Sequence, residues 1–318
     1  MKLTMRLYRE EEDTWRIREF LRRVMLLNHR REFSWHVARW DYWIWFANAD
    51  LEKIPLAENV FLWETESGQI AAVLNPEGRG QAYLQVDPAF RNPQLEGEML
   101  ATAEARLPLR GEDGQKRLQI FVDSMDEARQ QLLAQRGFQR VERPGEQETQ
   151  HRRSLDDPLP PEPQRPGYTI RSLGDGLELL ERCYASGLGF HEDDIQTARE
   201  NRDQPEWYHH IQSAPLYRRD LDLVAVAGDG SIASFCTIWF DDVSRTAYFE
   251  PVATVPAHQR RGLGKAVILE GLHRLQRRGC KVAFIGGYSP AANALYFSAL
   301  GTACDLSEPW EKTWPAAG

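Results

Sequence analysis

A short glycine-containing segment in the second half of the chain has the composition of an anion-binding loop. Residues 259–265 read Gln-Arg-Arg-Gly-Leu-Gly-Lys and lie between a predicted strand and a predicted helix. At such a junction, consecutive backbone N–H groups and the positive end of the helix dipole favour an anion. Gly262 and Gly264 leave the backbone open to phosphate oxygens. The spacing differs from a Walker loop and a dinucleotide fingerprint, and a tight strand–helix turn is the structural alternative.

The residues around this loop extend the pattern. Residues 250–256 read Glu-Pro-Val-Ala-Thr-Val-Pro, and Gln259-x-x-Gly262-x-Gly264 follows. This resembles the acetyl-CoA-binding motif of the GNAT N-acetyltransferase superfamily, which is Gln/Arg-x-x-Gly-x-Gly/Ala between a strand and a helix. Residues 292–296, Ala-Asn-Ala-Leu-Tyr, resemble the closing helix of that family. The resemblance covers 168–305 by motif and 3–142 by architecture, in a tandem layout similar to mycothiol synthase-like acyltransferases.

The resemblance implies acetyl-CoA as co-substrate, with its pantetheine between two diverging strands. Backbone N–H groups of the first of these strands would bind pantetheine and polarise the thioester carbonyl. Asn293 would bond pantetheine amides, or else it satisfies the first turn of its own helix. The implied cofactor-binding residues are Val252, Ala253, Thr254, Gln259, Arg260, Arg261, Gly262, Leu263, Gly264, Lys265 and Asn293.

Acetylation of an amine needs one proton taken from the amine and one given to the leaving thiolate. Glu250 is the candidate base, because it lies on the strand that enters the implied cofactor site. By period-two alternation it shares a face with Tyr248 and Val252. Partial burial there would raise the pKa of its carboxyl group. A structural ion pair with an arginine, or a relay through water, is the alternative.

Tyr296 is the acid that the resemblance implies for the thiolate. Counting forward from Asn293 selects Tyr296, whereas counting back from Gly301 selects Phe297, and a core tyrosine is the alternative role. The polar run His191–Asp194 is able to attract a cationic amine, but a solvated, acid-rich first helical turn, which fits the helix dipole, is the preferred interpretation.

Hydrophobic periodicity and turn residues predict the elements that position these groups in the second half. Gly228-Asp229-Gly230 predicts a hairpin turn, and Ser289-Pro290 predicts a helix start. The predicted strands are 168–173, 221–227, 231–240, 247–256 and 281–285; the predicted helices are 175–187, one or two within 192–212, 262–278 and 290–300.

The first half repeats this order. Landmarks such as Arg136-Gly137-Phe138 and Leu300-Gly301-Thr302 recur in the same sequence and at nearly one offset. The predicted strands are 3–8, 59–64, 69–74, 81–87 and 118–123; the predicted helices are 12–28, 36–48, 95–106 and 125–136. We therefore predict an α/β protein of two tandem GNAT-like domains, each a mixed, mostly antiparallel splayed sheet flanked by helices.

Five prolines within 155–167 mark a semi-rigid linker, since proline fixes φ and removes a donor. The predicted first domain, 1–154, is a degenerate copy. The predicted second domain, 168–318, carries the acetyl-CoA site. In the first domain Pro93, Gln94 and Glu96 stand where the loop glycines would lie, and they oppose phosphate binding by a missing N–H, bulk and charge. A shifted register that places Gly97 in the loop is the alternative.

Composition limits the remaining function classes. The 318 residues carry 39 basic and 47 acidic side chains, a net charge of −8, which argues against general nucleic-acid binding. We expect a cytoplasmic protein without a membrane segment or a metal site, and the oligomeric state stays open. The prediction is an N-acetyltransferase acting on a small-molecule or peptide amine. The alternative is a non-catalytic acyl-CoA-binding or interaction protein with tandem GNAT domains.

Overall fold

The computed structural model of the protein describes residues 2–161, 164–191 and 194–316. Two residues of the predicted linker, Glu162 and Pro163, therefore lie outside the described residues. So do Glu192 and Asp193 of the acidic run that was considered for a cationic amine. No helix in the described ranges is long and apolar enough to cross a membrane.

Contacts within the chain divide it into two compact units. The first unit consists of Met1–Gln150 and Asp305–Gly318, and the second of His151–Cys304. The two units follow the predicted domains over most of the chain but differ from them at the ends. The boundaries of independently folding domains stay a prediction, and a fragment experiment below addresses them.

In the first unit, helices and strands alternate much as the sequence predicts. The α-helix from Val37 continues as a π-helix over Trp43–Glu52. The strands are β1 Thr4–Leu7, β2 Phe61–Glu64, β3 Ile70–Asn75, β4 Gln81–Val86, β5 Leu109–Arg110, β6 Lys116–Asp123, β7 Gln139–Arg140 and the start of β8 Glu148–Ser154; the α-helices are α1 Glu11–Leu27, α2 Val37–Tyr42, α3 Leu56–Asn59, α4 Pro93–Arg106 and α5 Glu127–Gln135.

The second unit repeats the order and adds short 3₁₀ segments at Arg219–Leu221 and Pro256–His258. Its strands are β9 Tyr168–Ser172, β10 Asp222–Ala227, β11 Ile232–Asp241, β12 Thr246–Thr254 and β13 Val282–Gly287, and β14 Cys304–Trp314 follows; its α-helices are α6 Leu177–Phe190, α7 Ile195–Asp203, α8 Glu206–Ser213, α9 Leu263–Arg277 and α10 Pro290–Leu300.

The two sheets have the same pairing pattern. In the first unit the order is β1-β2-β3-β4-β6-β14, and in the second it is β9-β10-β11-β12-β13-β8. Four strands run antiparallel in each case, and the fifth joins them in parallel, as β4–β6 and β12–β13. The predicted fold class is confirmed: two tandem mixed sheets, mostly antiparallel, each flanked by helices.

One long helix covers a face of each sheet. In the second unit α9 places Val267, Leu272 and Leu275 in the core against strand residues such as Ile238 and Phe249. Its spacing of apolar residues is the helical period that predicted it. In the first unit α4 packs in the same way through Met99 and Leu100.

The sequence analysis missed β8 and β14, the strands that follow the last helix of each half. Residues Asp305–Trp314 of β14 follow the second unit in the chain but pair with β6 in the first unit. Residues His151–Ser154 of β8 follow the first unit but belong to the second. Over these residues, the strand that follows the last helix of each half therefore belongs to the unit formed by the other half.

The described part of the predicted linker is attached to the second unit. Leu155 is buried in the core that α9 covers. Gln276 donates to the carbonyl oxygen of Leu155 at 2.9 Å, and the imidazole Nε2 of His273 lies 2.7 Å from the carbonyl oxygen of Pro160. These proline-rich residues thus form a packed edge of the second unit.

This assignment of segments predicts how fragments behave. Residues 151–304 contain a whole compact unit, whereas 168–318 lacks the buried Leu155 and carries β14 without its partner strand. Unpaired strands promote aggregation. We expect 151–304 to be soluble with a cooperative thermal transition, and 168–318 to be less soluble and to melt at a lower temperature, as measured by circular dichroism. Equal behaviour of the two fragments would contradict the assignment.

Candidate functional site

The sheet of the second unit opens next to the predicted cofactor residues. β12 and β13 pair at three positions, from Thr246↔Val282 to Tyr248↔Phe284. Beyond Tyr248 the two strands diverge, while β12 continues to Thr254 and stays paired to β11 on its other side. Val252, Ala253 and Thr254 are half-buried along this opening. Backbone groups of β12 that face β13 are thereby available to a ligand.

The glycine loop begins where β12 ends. Gly262 is the N-cap of α9 and has φ +76°, a left-handed conformation that favours glycine. No side chain caps this helix end, so its first N–H groups point toward the loop without a side-chain acceptor. Gly264 lies close to other elements: a Cβ there would be 3.0 Å from Leu295 Cδ2 and 3.2 Å from Thr254 Oγ1. Gly262 is thus favoured by its positive φ, and Gly264 by the close approach of Leu295 and Thr254.

Basic side chains surround this helix end. Arg260 and Arg261 are exposed, Lys265 is half-buried, and Leu263 is buried in the core, so that Leu263 offers its backbone to the loop. Gln259 donates to the carbonyl oxygen of Thr254 at 3.2 Å and closes the loop back onto β12.

Two residues of the loop's surroundings were missed by sequence reasoning. Arg165 lies against Gly262, with its Nε 3.5 Å from the Gly262 carbonyl oxygen, and adds another cation beside the loop. Tyr168 accepts a hydrogen bond from Arg261 at 2.7 Å and contacts His258 Nδ1 at 3.0 Å. Both lie at the start of the second half, almost a hundred residues before the loop, and no local pattern connects them to it.

Glu250 is half-buried at an irregular point of β12. The register between β11 and β12 shifts there, from Cys236↔Val252 to Ile238↔Phe249. The indole of Trp239 donates to the carbonyl oxygen of Glu250 at 2.6 Å and fixes the backbone. Glu250 thus lies two residues before the predicted cofactor-binding backbone, in a strand that is held from one side.

Tyr296 faces the sheet from α10 and is 7% exposed, whereas Phe297, the other candidate by counting, is 39% exposed. Burial raises the pKa of the Tyr296 hydroxyl well above its usual value, with smaller contributions from Cys236 and Glu250. Its ring lies beside Gly287, where an added Cβ would be 3.1 Å away. At neutral pH this hydroxyl therefore keeps its proton.

Asn293 is engaged by a histidine that the sequence analysis did not single out. Its Oδ1 lies 2.9 Å from Nε2 of His151, a fully buried residue of β8. Burial lowers the pKa of His151, so the ring is neutral and donates to Asn293 through Nε2. The amide NH₂ of Asn293 stays directed elsewhere, and the predicted role of Asn293 toward pantetheine stays a prediction.

The corresponding region of the first unit is closed by ion pairs. β4 and β6 pair at Gln81↔Gln119 and Ala82↔Ile120 and then diverge. The buried guanidinium of Arg129 lies at this opening, where it donates to the carbonyl oxygen of Leu84 at 3.4 Å and to Glu96 at 2.5 Å.

The helix end of the first unit is also satisfied internally. Asn92 caps α4 by accepting from Leu95 N at 3.0 Å, and Pro93 has no N–H. Arg91 contacts Glu96 at 3.0 Å and Asp126 at 2.6 Å, which joins the starts of α4 and α5. The alternative register is wrong, because Gly97 lies inside α4 and not in the loop.

In the first unit a leucine stands at the position that corresponds to the buried Tyr296. Seven residues after the cap of α5 stands Leu133, a fully buried core residue, where α10 has Tyr296 seven residues after its cap. Within the described ranges of the chain, no three His, Cys, Asp or Glu side chains are close enough to hold a metal ion.

Comparisons with known proteins agree with this geometry. Residues 182–301 match the family model described as "Acetyltransferase (GNAT) family". No curated protein matches the sequence.

Solved structures extend the likeness to the whole chain. A GCN5-related N-acetyltransferase from Sphaerobacter thermophilus superimposes with a TM-score of 0.63 at 17% identity, covering 98% of this chain and 95% of its own. A tandem GNAT protein from the clavulanic acid biosynthesis pathway gives 0.62 at 13% identity, covering 100% and 99%. A GNAT-family acetyltransferase from Colwellia psychrerythraea gives 0.54 at 10% identity, covering 98% and 99%.

These likenesses establish the fold across both units, and the family match supports acyl-CoA-dependent acetyl transfer in general terms. The chain therefore has a tandem GNAT fold, and its residues 182–301 are similar to the GNAT acetyltransferase family.

Proposed function

We propose that the protein is an acetyl-CoA-dependent N-acetyltransferase that acetylates a primary amine by direct transfer at one site, in the second unit. The observation that carries this proposal is the uncapped N-terminus of α9 at Gly262, beside the point where β12 and β13 diverge. Free N–H groups at a helix N-terminus bind phosphate groups, and diverging strands accept a pantetheine arm between them.

The residues present fit such a ligand. The backbone of 262–265, with Arg260, Arg261 and Lys265, would hold the pyrophosphate, and Gln259 would keep the loop closed. The backbone of Val252–Thr254 would bind pantetheine. Acetyl-CoA supplies an activated acyl group when it is bound there.

Two side chains would move the protons. Glu250 would accept the proton of the attacking amine, directly or through water. Tyr296 would donate its hydroxyl proton to the departing thiolate, and its raised pKa keeps that proton available at neutral pH. Acid and base lie on different elements, α10 and β12, on the two sides of the sheet opening.

A non-catalytic acyl-CoA-binding protein is the alternative function. A thermal-shift titration with acetyl-CoA tests binding, and thiol release with a panel of primary amines tests transfer. We expect a saturable shift and thiol release with a subset of amines. Binding without thiol release over a broad panel would favour the alternative, and a lack of binding would exclude both functions.

The loop assignment predicts the effect of Gly262→Glu. The change forces a side chain into a left-handed backbone and places a negative charge where phosphates would bind. We expect the dissociation constant for acetyl-CoA to rise roughly 100-fold or more in isothermal titration calorimetry. Gly68→Glu is the matched control, since Gly68 also has a positive φ, with open space around it in the first unit. An unchanged constant in folded Gly262→Glu protein would remove the assignment.

The catalytic assignment predicts two separate losses. Glu250→Gln is expected to lower kcat by about 10²–10⁴-fold, because a general base contributes that much, with little change in acetyl-CoA affinity. Tyr296→Phe removes the hydroxyl alone and is expected to lower kcat as well. Glu200→Gln and Tyr184→Phe, on α7 and α6, are the controls. Full activity of Tyr296→Phe would exclude the acid role.

The closed first unit predicts the binding stoichiometry. Glu96 and Arg129 fill the place that acetyl-CoA would need there, and Asn92 takes up a helix N–H. We expect calorimetry to give one acetyl-CoA per chain. Two equivalent sites per chain would contradict a single working site.

A further inference from the structure

Arg182 in α6 is a fully buried cation whose side chain has no hydrogen-bond acceptor in the described part of the chain. It is 0% exposed. Its Nε and both terminal nitrogens are buried, and no described residue accepts a hydrogen bond from any of them. The guanidinium is stacked 3.4 Å from the ring centre of Phe235 and 4.8 Å from that of Tyr208. The cation therefore contacts two aromatic rings, while its N–H donors have no acceptor among the described residues.

Asp222, whose carboxylate interacts electrostatically with Arg182, already has its own donors. Asp222 is fully buried, and the charge of Arg182 opposes the burial that raises its pKa. Yet its Oδ2 accepts from the hydroxyls of Tyr208 at 2.7 Å and Tyr217 at 2.8 Å, and its Oδ1 accepts from Thr237 at 3.2 Å. Asp222 therefore uses three hydroxyl donors and does not satisfy the guanidinium.

An arginine in this state is costly. Its side chain stays protonated in proteins, and a buried donor without a partner costs about 1–3 kcal/mol, more when it is charged. Such a cost is tolerated where a ligand supplies the missing acceptors. The planar fork of five N–H groups matches a carboxylate, which accepts two parallel hydrogen bonds from it.

The position of Arg182 connects it to the proposed site. Ser186 and Gly189 follow it at the spacing of one helix face, and Ser186 is buried. A Cβ on Gly189 would lie 3.0 Å from Ala253 Cβ and 3.8 Å from Phe235. The face of α6 that carries Arg182 thus reaches the backbone proposed to bind pantetheine within two helical turns, about 10 Å.

We propose that Arg182 binds a carboxylate of the acceptor, so that the acceptor is a small amine that also carries an acidic group. This inference rests on the proposed function, because it assigns a substrate class to the same site. With the carboxylate on Arg182, the amine of a molecule about 10 Å long reaches the region of Ala253, three residues after Glu250. The same face of α6 carries the small residues Ser186 and Gly189 between Arg182 and Ala253.

The test uses the full-length chain, saturated with acetyl-CoA, and primary amines in pairs. Each pair consists of an ω-amino acid long enough to span about 10 Å and the amide of its carboxyl group. Thiol release gives kcat/KM, and thermal shift gives binding independently of turnover. For the wild type we expect the carboxylate member to be preferred by roughly 10- to 100-fold, the range of a hydrogen bond to a charged group. Sodium acetate serves as the probe for binding of a free anion.

Arg182→Met and Arg199→Met are the compared variants, since Arg199 is an exposed arginine on α7. Arg182→Met is expected to bring the ratio of the two kcat/KM values within a pair down to about one. Arg199→Met is expected to keep the preference. Arg182→Lys, which keeps the charge and loses the planar fork, is expected to retain part of it and covers the case in which the methionine variant does not fold.

The outcomes separate the two levels of the proposal. If the wild type does not bind acetyl-CoA, the proposed function is contradicted. Normal acetyl-CoA binding without any carboxylate-dependent shift or turnover would overturn the role of Arg182. So would a preference that survives in folded Arg182→Met or is unchanged in Arg182→Lys. A shift with acetate that does not compete with any amine would show an anion site separate from the acceptor, which also overturns the inference.

Discussion

The parting of β12 from β13 after Tyr248 is the constraint on which the proposed chemistry depends. A sheet normally satisfies its backbone groups by pairing with neighbours, and here the pairing is given up for the last residues of β12. β11 on the other side holds β12 in place, and Trp239 holds the carbonyl of Glu250. The last residues of β12 are thus held by β11 on one side, while on the other side they do not pair with β13. A ligand is able to bind along that second side. The uncapped end of α9 lies at its exit and continues the same supply of free N–H groups.

In the first unit the corresponding opening is filled by side chains of the protein itself. There an arginine from α5, a glutamate from α4 and a capping asparagine satisfy the backbone and one another. Ion pairs of this kind, buried and hydrogen-bonded on several sides, hold elements in a fixed relation. The two units therefore have similar folds and differ in what supplies the hydrogen-bond partners at the sheet opening. In the first unit these partners are side chains of the protein, and in the second unit we propose that they belong to the co-substrate.

The sequence was most informative where the structure depends on neighbours along the chain. The glycine loop, the helix that follows it and the hairpin at Gly228–Gly230 are local features, and periodicity and turn chemistry predicted their elements. β14 was missed because Pro309 and the adjacent charged residues Glu311 and Lys312 interrupt the apolar alternation of a strand, and its partner β6 lies far away in sequence. Arg182 was missed for a related reason: a single arginine on an amphipathic helix is expected to face solvent, and its burial depends on β10, β11 and α8. In both examples the structure is decided by contacts between residues that are far apart in the sequence.

The placement of β14 has a consequence for how the protein is made. Residues 305–314 leave the ribosome after the whole of the second unit, although they complete the sheet of the first. Domains generally fold in order of synthesis, but the edge of β6 that pairs with β14 must wait until the second unit has been synthesised. During that interval the nascent first unit presents an unpaired strand edge. Slow translation of the second half would lengthen that exposure.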